Sequence, residues 1–126
     1  MSSIFILKGV VVRGKSRGKD LGFPTVNLAI DKSTPSGTYI SRTKFNTKVY
    51  QSITFIGTAE TFDETDFVGE TYIINFDQDI YGQYIEVEII KKLRDNQKFE
   101  NAEKLIEQMK VDEKATINYF KNEIQT

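Results

Sequence analysis

Neither cysteine nor histidine occurs in this sequence. Their absence removes disulfides, thiolate nucleophiles and imidazole, whether as base or as metal ligand. Any metal must be held through oxygen, which points to Mg²⁺ or another hard divalent cation. Proton abstraction falls to Asp, Glu, Lys or Tyr. No apolar run reaches the roughly 18 residues of a membrane span, and the apolar part of MSSIFILKG is too short for a secretory signal. A basic excess is also missing. Lys and Arg number 17 against 18 Asp and Glu, for a net charge of −1, which argues against a nucleic-acid surface. The default expectation is a cytoplasmic protein with no membrane or nucleic-acid partner.

What is present is 126 residues, 39% hydrophobic and 12% aromatic. That suffices for one domain with one core and is too little for two. The first two thirds read as strands. Residues 4–13 (IFILKGVVVR) are β-branched and apolar, and Gly9 suggests a bend or bulge within them. PTVNLAI (24–30) is short, and DKSTPSG after it is a turn cluster. TYISRTKF and KVYQSITFIG read as a hairpin joined at Asn46-Thr47. GETYIINF alternates, with Glu70, Tyr72, Ile74 and Phe76 on one side. In QYIEVEII, Ile85, Val87 and Ile89 oppose Tyr84, Glu86 and Glu88.

Six strands with no intervening helix make an antiparallel sheet, as a barrel or a sandwich, and closure is favoured because it hides the edges. The period changes after Phe99. Ala102, Leu105, Ile106 and Met109 have helical spacing behind Asn101 as N-cap, and Asp112 is placed to start a second helix with Ala115, Tyr119 and Phe120. The expected layout is a single domain, 1–126, with a barrel over about 4–92 and helices over about 100–124.

GVVVRGKS (9–16) spells G-x-x-x-x-G-K-S, the P-loop pattern. A P-loop runs from strand to glycine loop to helix. Here three valines fill the loop positions, and GKDLGFP, with two glycines and a proline, cannot open a helix. The context rejects the motif. Gly14, Gly18 and Gly22 with Lys15, Arg17 and Lys19 still suit a polyphosphate cradle. On physics alone a solvated hairpin loop is the commoner use of such a segment.

LGFPTVNL (21–28) shifts that balance, because it resembles the riboflavin kinase signature. The resemblance continues in order through PSGTY (35–39), VYQSITFIGTAETF (49–62), ETYIINFDQDIYG (70–82), LRDNQKF (93–99) and AEKLIEQ (102–108). It implies a mainly β fold, a six-stranded antiparallel Greek-key barrel with C-terminal α-helices. It also implies transfer of the γ-phosphate of ATP to the 5′-hydroxyl of riboflavin, giving FMN and ADP, with Mg²⁺ or another divalent cation.

By the same resemblance Glu70 is the catalytic carboxylate and the Thr25 hydroxyl meets the metal. Gly14, Lys15, Gly18, Lys19, Gly22, Thr25, Asn27 and Tyr81 face the nucleotide, while Arg94 and Phe99 face the flavin beside a mobile flap at 95–99. Taken without the family, Glu70 is one acid of 18, Tyr81-Gly82 is a plain turn, and Arg94 pairs with Asp95 at the surface. The pattern departs at Phe55 and Glu60, where bacterial members usually carry Asn and Pro, and at Tyr72, often His. A carboxylate at Glu60 close to Glu70 would raise the pKa of either. The expected partners are small molecules alone, the expected state a monomer, and the expected activity the kinase without adenylyl transfer. The competing readings are a non-catalytic flavin- or nucleotide-binding barrel and, behind it, a small-barrel nucleic-acid or interaction module.

Overall fold

The computed structural model describes residues 4–14, 22–58 and 66–124. Among them are six strands and one helix: β1 (Phe5–Val10), β2 (Thr25–Leu28), β3 (Gly37–Phe45), β4 (Lys48–Thr58), β5 (Phe67–Ile73), β6 (Tyr84–Arg94) and α1 (Ala102–Ile124). The strands form one antiparallel sheet in the order β1-β6-β3-β4-β5-β2. β6 returns beside β3 after the β3-β4-β5 meander, which is a Greek key. The sheet curls into a half-barrel rather than splitting into a sandwich. Among the described residues its edges meet at one bridge, where the Val12 N–H donates to the Asn27 carbonyl at 2.9 Å.

The β3–β4 hairpin turns on Asn46 (φ 50°) and Thr47 (φ 69°). Two left-handed residues match the twist of the flanking strands. Asn tolerates that conformation, but a β-branched Thr resists it by about 1 kcal/mol. Thr47→Gly is therefore expected to raise stability by about 1 kcal/mol in urea unfolding.

The inner face is packed by Leu28, Tyr39, Ile56, Ile73, Ile85, Val87 and Ile89. Among them runs a chain of buried hydroxyls. Thr43 bonds Ser52 (2.8 Å), Ser52 bonds Ser41 (2.7 Å), Ser41 bonds Thr54 (2.8 Å) and Thr54 bonds Thr71 (2.9 Å). The three inner hydroxyls each make two bonds and the two terminal ones make one, so every member of the buried row has a partner.

The outer face packs Ile40 and Ile90 against Phe120 of α1, with Leu93 and Tyr119 beside them. The β3–β6 register slips on each side of Tyr39 and Ile40, leaving Ile90 and Leu93 without opposite residues. These bulges hand both side chains to the helix. Arg42 clamps the helix end through ion pairs to Glu88 and Glu123.

Three local expectations differ from the structure. β1 pairs with β6 without interruption through Gly9, so there is no bulge there. The alternation in GETYIINF stops at Ile73. Asn75 turns the chain at φ 58°, and Phe76 packs with Phe45 and Tyr50 against the inner core. The two expected helices are one helix of 23 residues. No Gly or Pro breaks residues 102–124. Asp112 does not cap a second helix because Arg94 and Gln108 already bind its carboxylate. Asn101 does cap α1, accepting the Lys104 N–H at 3.0 Å.

Candidate functional site

Asn27 lies opposite Glu70 and Thr25 opposite Tyr72 in the β2–β5 ladder. The pleat puts these four side chains together on the outer face, while Val26, Leu28 and Thr71 point inward. The Thr25 hydroxyl donates diagonally to Glu70 Oε1 at 3.0 Å. With its proton so directed, the Thr25 oxygen keeps its lone pairs for another electrophile.

The same row continues across the sheet. Phe55 of β4 faces Glu70, Thr38 of β3 faces Phe55, and Arg94 of β6 faces Thr38. At about 4.8 Å per strand, Arg94 stands roughly 14 Å from Glu70.

The chain enters β2 through Gly22, whose φ of 88° favours glycine. Phe23 is then buried edge-on against the Tyr72 ring, with centroids 5.2 Å apart. The Tyr72 hydroxyl donates to Glu113 Oε2 of α1 at 2.9 Å. Burial first, and then this carboxylate, push the Tyr72 phenol up to about 12. The helix thus steadies the strand that presents Glu70. Gly14 lies against the Asn27 amide so closely that a Cβ there would overlap it.

A cleft of about 390 Å³ opens beside these residues. Its walls include Gly14, Thr25 and Asn27 on one side, Val26, Thr71 and Ile73 at the base, and Tyr81 across the mouth. The Arg13 guanidinium lies 4.1 Å from the Tyr81 ring centroid. Asp79 fixes the turn, accepting the Tyr81 N–H at 3.1 Å, and Gly82 completes it at φ 82°.

Arg94 does not pair with Asp95. Its Nε donates to both carboxylate oxygens of Asp112, at 3.2 and 3.1 Å, and its Nη2 donates to Oδ2 at 2.9 Å. Asp95 pairs with Lys92 instead. The guanidinium lies 5.6 Å from the Phe99 ring centroid, so the two residues expected at a flavin are neighbours. The segment expected to be a mobile flap is anchored at Asn96. Its Nδ2 donates to the Ile56 carbonyl at 2.8 Å, and its Oδ1 accepts the Thr38 hydroxyl at 3.0 Å.

The structure therefore brings Gly14, Thr25, Asn27 and Glu70 to one place, with Tyr81 across the cleft and Arg94 and Phe99 three strands away. Lys15, Gly18, Lys19 and Glu60 lie outside the described residues. Asn96 and Glu113 carried no signal in the sequence, and Asp112 only that of a helix start, because their roles depend on contacts 18 to 58 residues distant.

Among the described residues no cluster of three or more acidic side chains is arranged for a metal. The oxygen donors at hand are the Thr25 hydroxyl, the Asn27 amide and the Glu70 carboxylate. One carboxylate and two neutral oxygens suit a hard cation that arrives with its own phosphate and water ligands.

A family model described as Flavokinase, riboflavin kinase, matches residues 1–120. The chain is 39% identical over 119 residues to the trifunctional protein RibF/MnmA of Mycoplasmoides gallisepticum, covering 92% of this chain and 18% of that protein. It is 34% identical over 124 residues to the bifunctional riboflavin kinase/FMN adenylyltransferase of Bacillus subtilis, covering 94% of this chain and 39% of that one. The crystal structure of riboflavin kinase from Trypanosoma brucei superposes with a TM-score of 0.63 at 20% identity, over 92% of this chain and 76% of that one, a likeness of fold. The chain spans only about a fifth to two fifths of the length of the two curated relatives.

Proposed function

From the premise that the chain belongs to the riboflavin kinase family, we propose that it transfers the γ-phosphate of ATP to the 5′-hydroxyl of riboflavin, releasing FMN and ADP. The observation that carries this reading is the Thr25–Glu70 hydrogen bond, set beside Asn27 at the edge of the cleft.

A primary alcohol attacks weakly until a base takes its proton. Glu70 is oriented by Thr25 on a strand paired on both sides and serves as that base. The ribityl oxygen bonds to the γ-phosphorus as the bond to the β-phosphate oxygen breaks. The proton goes to Glu70, and the electron pair leaves on ADP. Thr25 and Asn27 hold the phosphate end of the nucleotide, with the glycine segment from Gly14 beside them. Tyr81 borders the rest of the nucleotide at the cleft mouth. The Thr25 oxygen would hold a divalent cation carried by the nucleotide, and such a cation would supply neutralisation of the phosphate charge. Arg94 and Phe99 receive the flavin end.

The ligands are small molecules. The chain's near-neutral charge supports the absence of a nucleic-acid partner. We assign the reaction to a monomer in the cytoplasm.

Incubation with riboflavin, ATP and Mg²⁺ is expected to yield FMN, separated by chromatography. A folded sample giving no FMN above a protein-free control overturns the proposal. Saturable flavin binding without ADP release would instead support the non-catalytic barrel. Gly14→Ala pushes the Asn27 amide aside. It is expected to lower kcat/KM for ATP by about tenfold, roughly one lost phosphate hydrogen bond, with the circular dichroism spectrum unchanged.

A further inference from the structure

We infer that Phe55 is the surface on which the isoalloxazine ring of riboflavin rests, which makes it a specificity-determining residue; the inference depends on the reaction proposed above. Phe55 occupies the middle of the row Asn27–Glu70–Phe55–Thr38–Arg94. It stands one strand, about 4.8 Å, from the carboxylate and two strands from Arg94. A riboflavin whose terminal hydroxyl meets Glu70 carries its rings at the end of a five-carbon chain. With carbon–carbon bonds of about 1.5 Å, that chain reaches roughly 6 Å. The rings therefore begin over Phe55 and extend on the side of the Arg94–Phe99 pair.

The chemistry of the strip agrees with that path. Thr38 is buried and its hydroxyl is committed to Asn96, and Asn96 is committed to the Ile56 carbonyl. These groups offer a ring little to bond. Phe55 is half-buried and belongs to neither apolar cluster formed by the described residues.

Gly57, two residues on, carries no side chain, and the Asn96 amide fills the space over it. The tip of the Phe55 ring lies 3.5 Å from where a Gly57 Cβ would stand, so the ring leans along its strand toward the Asn96 amide. A ring leaning along the sheet presents a π-face outward. Isoalloxazine is electron-poor, and offset stacking on an electron-rich face is the arrangement aromatic quadrupoles favour.

The experiment measures steady-state kinetics and bound-flavin fluorescence in two variants of the full chain. Phe55→Leu keeps an apolar side chain but removes the π-face. Its KM for riboflavin is expected to rise about tenfold while KM for ATP stays within about twofold. Phe55→Trp keeps a ring and adds an electron-rich donor. It is expected to preserve riboflavin affinity and to reduce bound-flavin emission by about twofold or more, because electron transfer from indole requires ring contact. An unchanged riboflavin KM in Phe55→Leu overturns the inference, as does wild-type emission in Phe55→Trp. Should the Leu variant not fold, the Trp variant decides alone.

The two readings fail separately. FMN formation that is indifferent to both substitutions sinks the platform and leaves the kinase. Phe55-dependent flavin binding without FMN sinks phosphoryl transfer and supports the platform.

Discussion

Glu70→Gln lowers the turnover of FMN formation by about 10²–10⁴-fold, the usual weight of a positioned general base. Glutamine is nearly the same size and retains an oxygen that accepts the Thr25 hydroxyl, now held at 3.0 Å. It therefore keeps the local geometry of β5 but cannot accept a proton. The loss falls on kcat, while the dissociation constants of riboflavin and ATP, read by calorimetry, stay within about threefold. A Gln variant that turns over at the wild-type rate would remove Glu70 from the chemistry. A variant that no longer binds either ligand would make it a structural residue.

The second large effect is on stability. Arg94→Met destabilises the fold by about 3–5 kcal/mol in urea unfolding, because it strands a buried carboxylate. Asp112 is only 6% exposed and Arg94 19%, so solvent does little to screen the pair. Without the guanidinium, Asp112 retains one charge-neutral donor among its described bonds, the Gln108 amide at 3.0 Å. The double variant Arg94→Met/Asp112→Leu removes the stranded charge and is expected to recover most of the loss. If the single variant is as stable as wild type, the pair is not what ties α1 to the end of β6.

The sequence contained the sheet and little of what is clipped onto it. Ile85, Val87 and Ile89 alternate with charged or exposed partners, and that period survives because β6 has one face in the core. The Thr25–Asn27 spacing likewise put both side chains on one face, and the ladder added Glu70 opposite.

What escaped sequence reading depends on long-range partners. Asp112 has the chemistry of a helix N-cap, and only the arrival of Arg94 at the end of a twice-bulged strand makes it a mid-helix ion-pair member. Phe76 follows the period-two pattern of β5 on paper. The left-handed Asn75 reverses the chain before Phe76 is reached, so it goes to the inner core. Asn96 sits in a polar run with nothing to distinguish it, yet its amide occupies the space over Gly57 and holds the segment after β6 to the sheet.

Among the described residues, the single bridge between Val12 and Asn27 gives the barrel the mechanics of a split ring with a clasp. Every other join in the ring is a ladder of four or more residue pairs. The clasp is one backbone bond, and one of its two halves is Asn27, whose side chain touches both Gly14 and the Glu70 row. Springing the ring and displacing the Asn27 wall of the cleft are therefore the same event. On the proposed reading, a nucleotide bridging Gly14 and Asn27 would act as a pin through the clasp, and the load that resists opening would come from the ligand as well as from the chain.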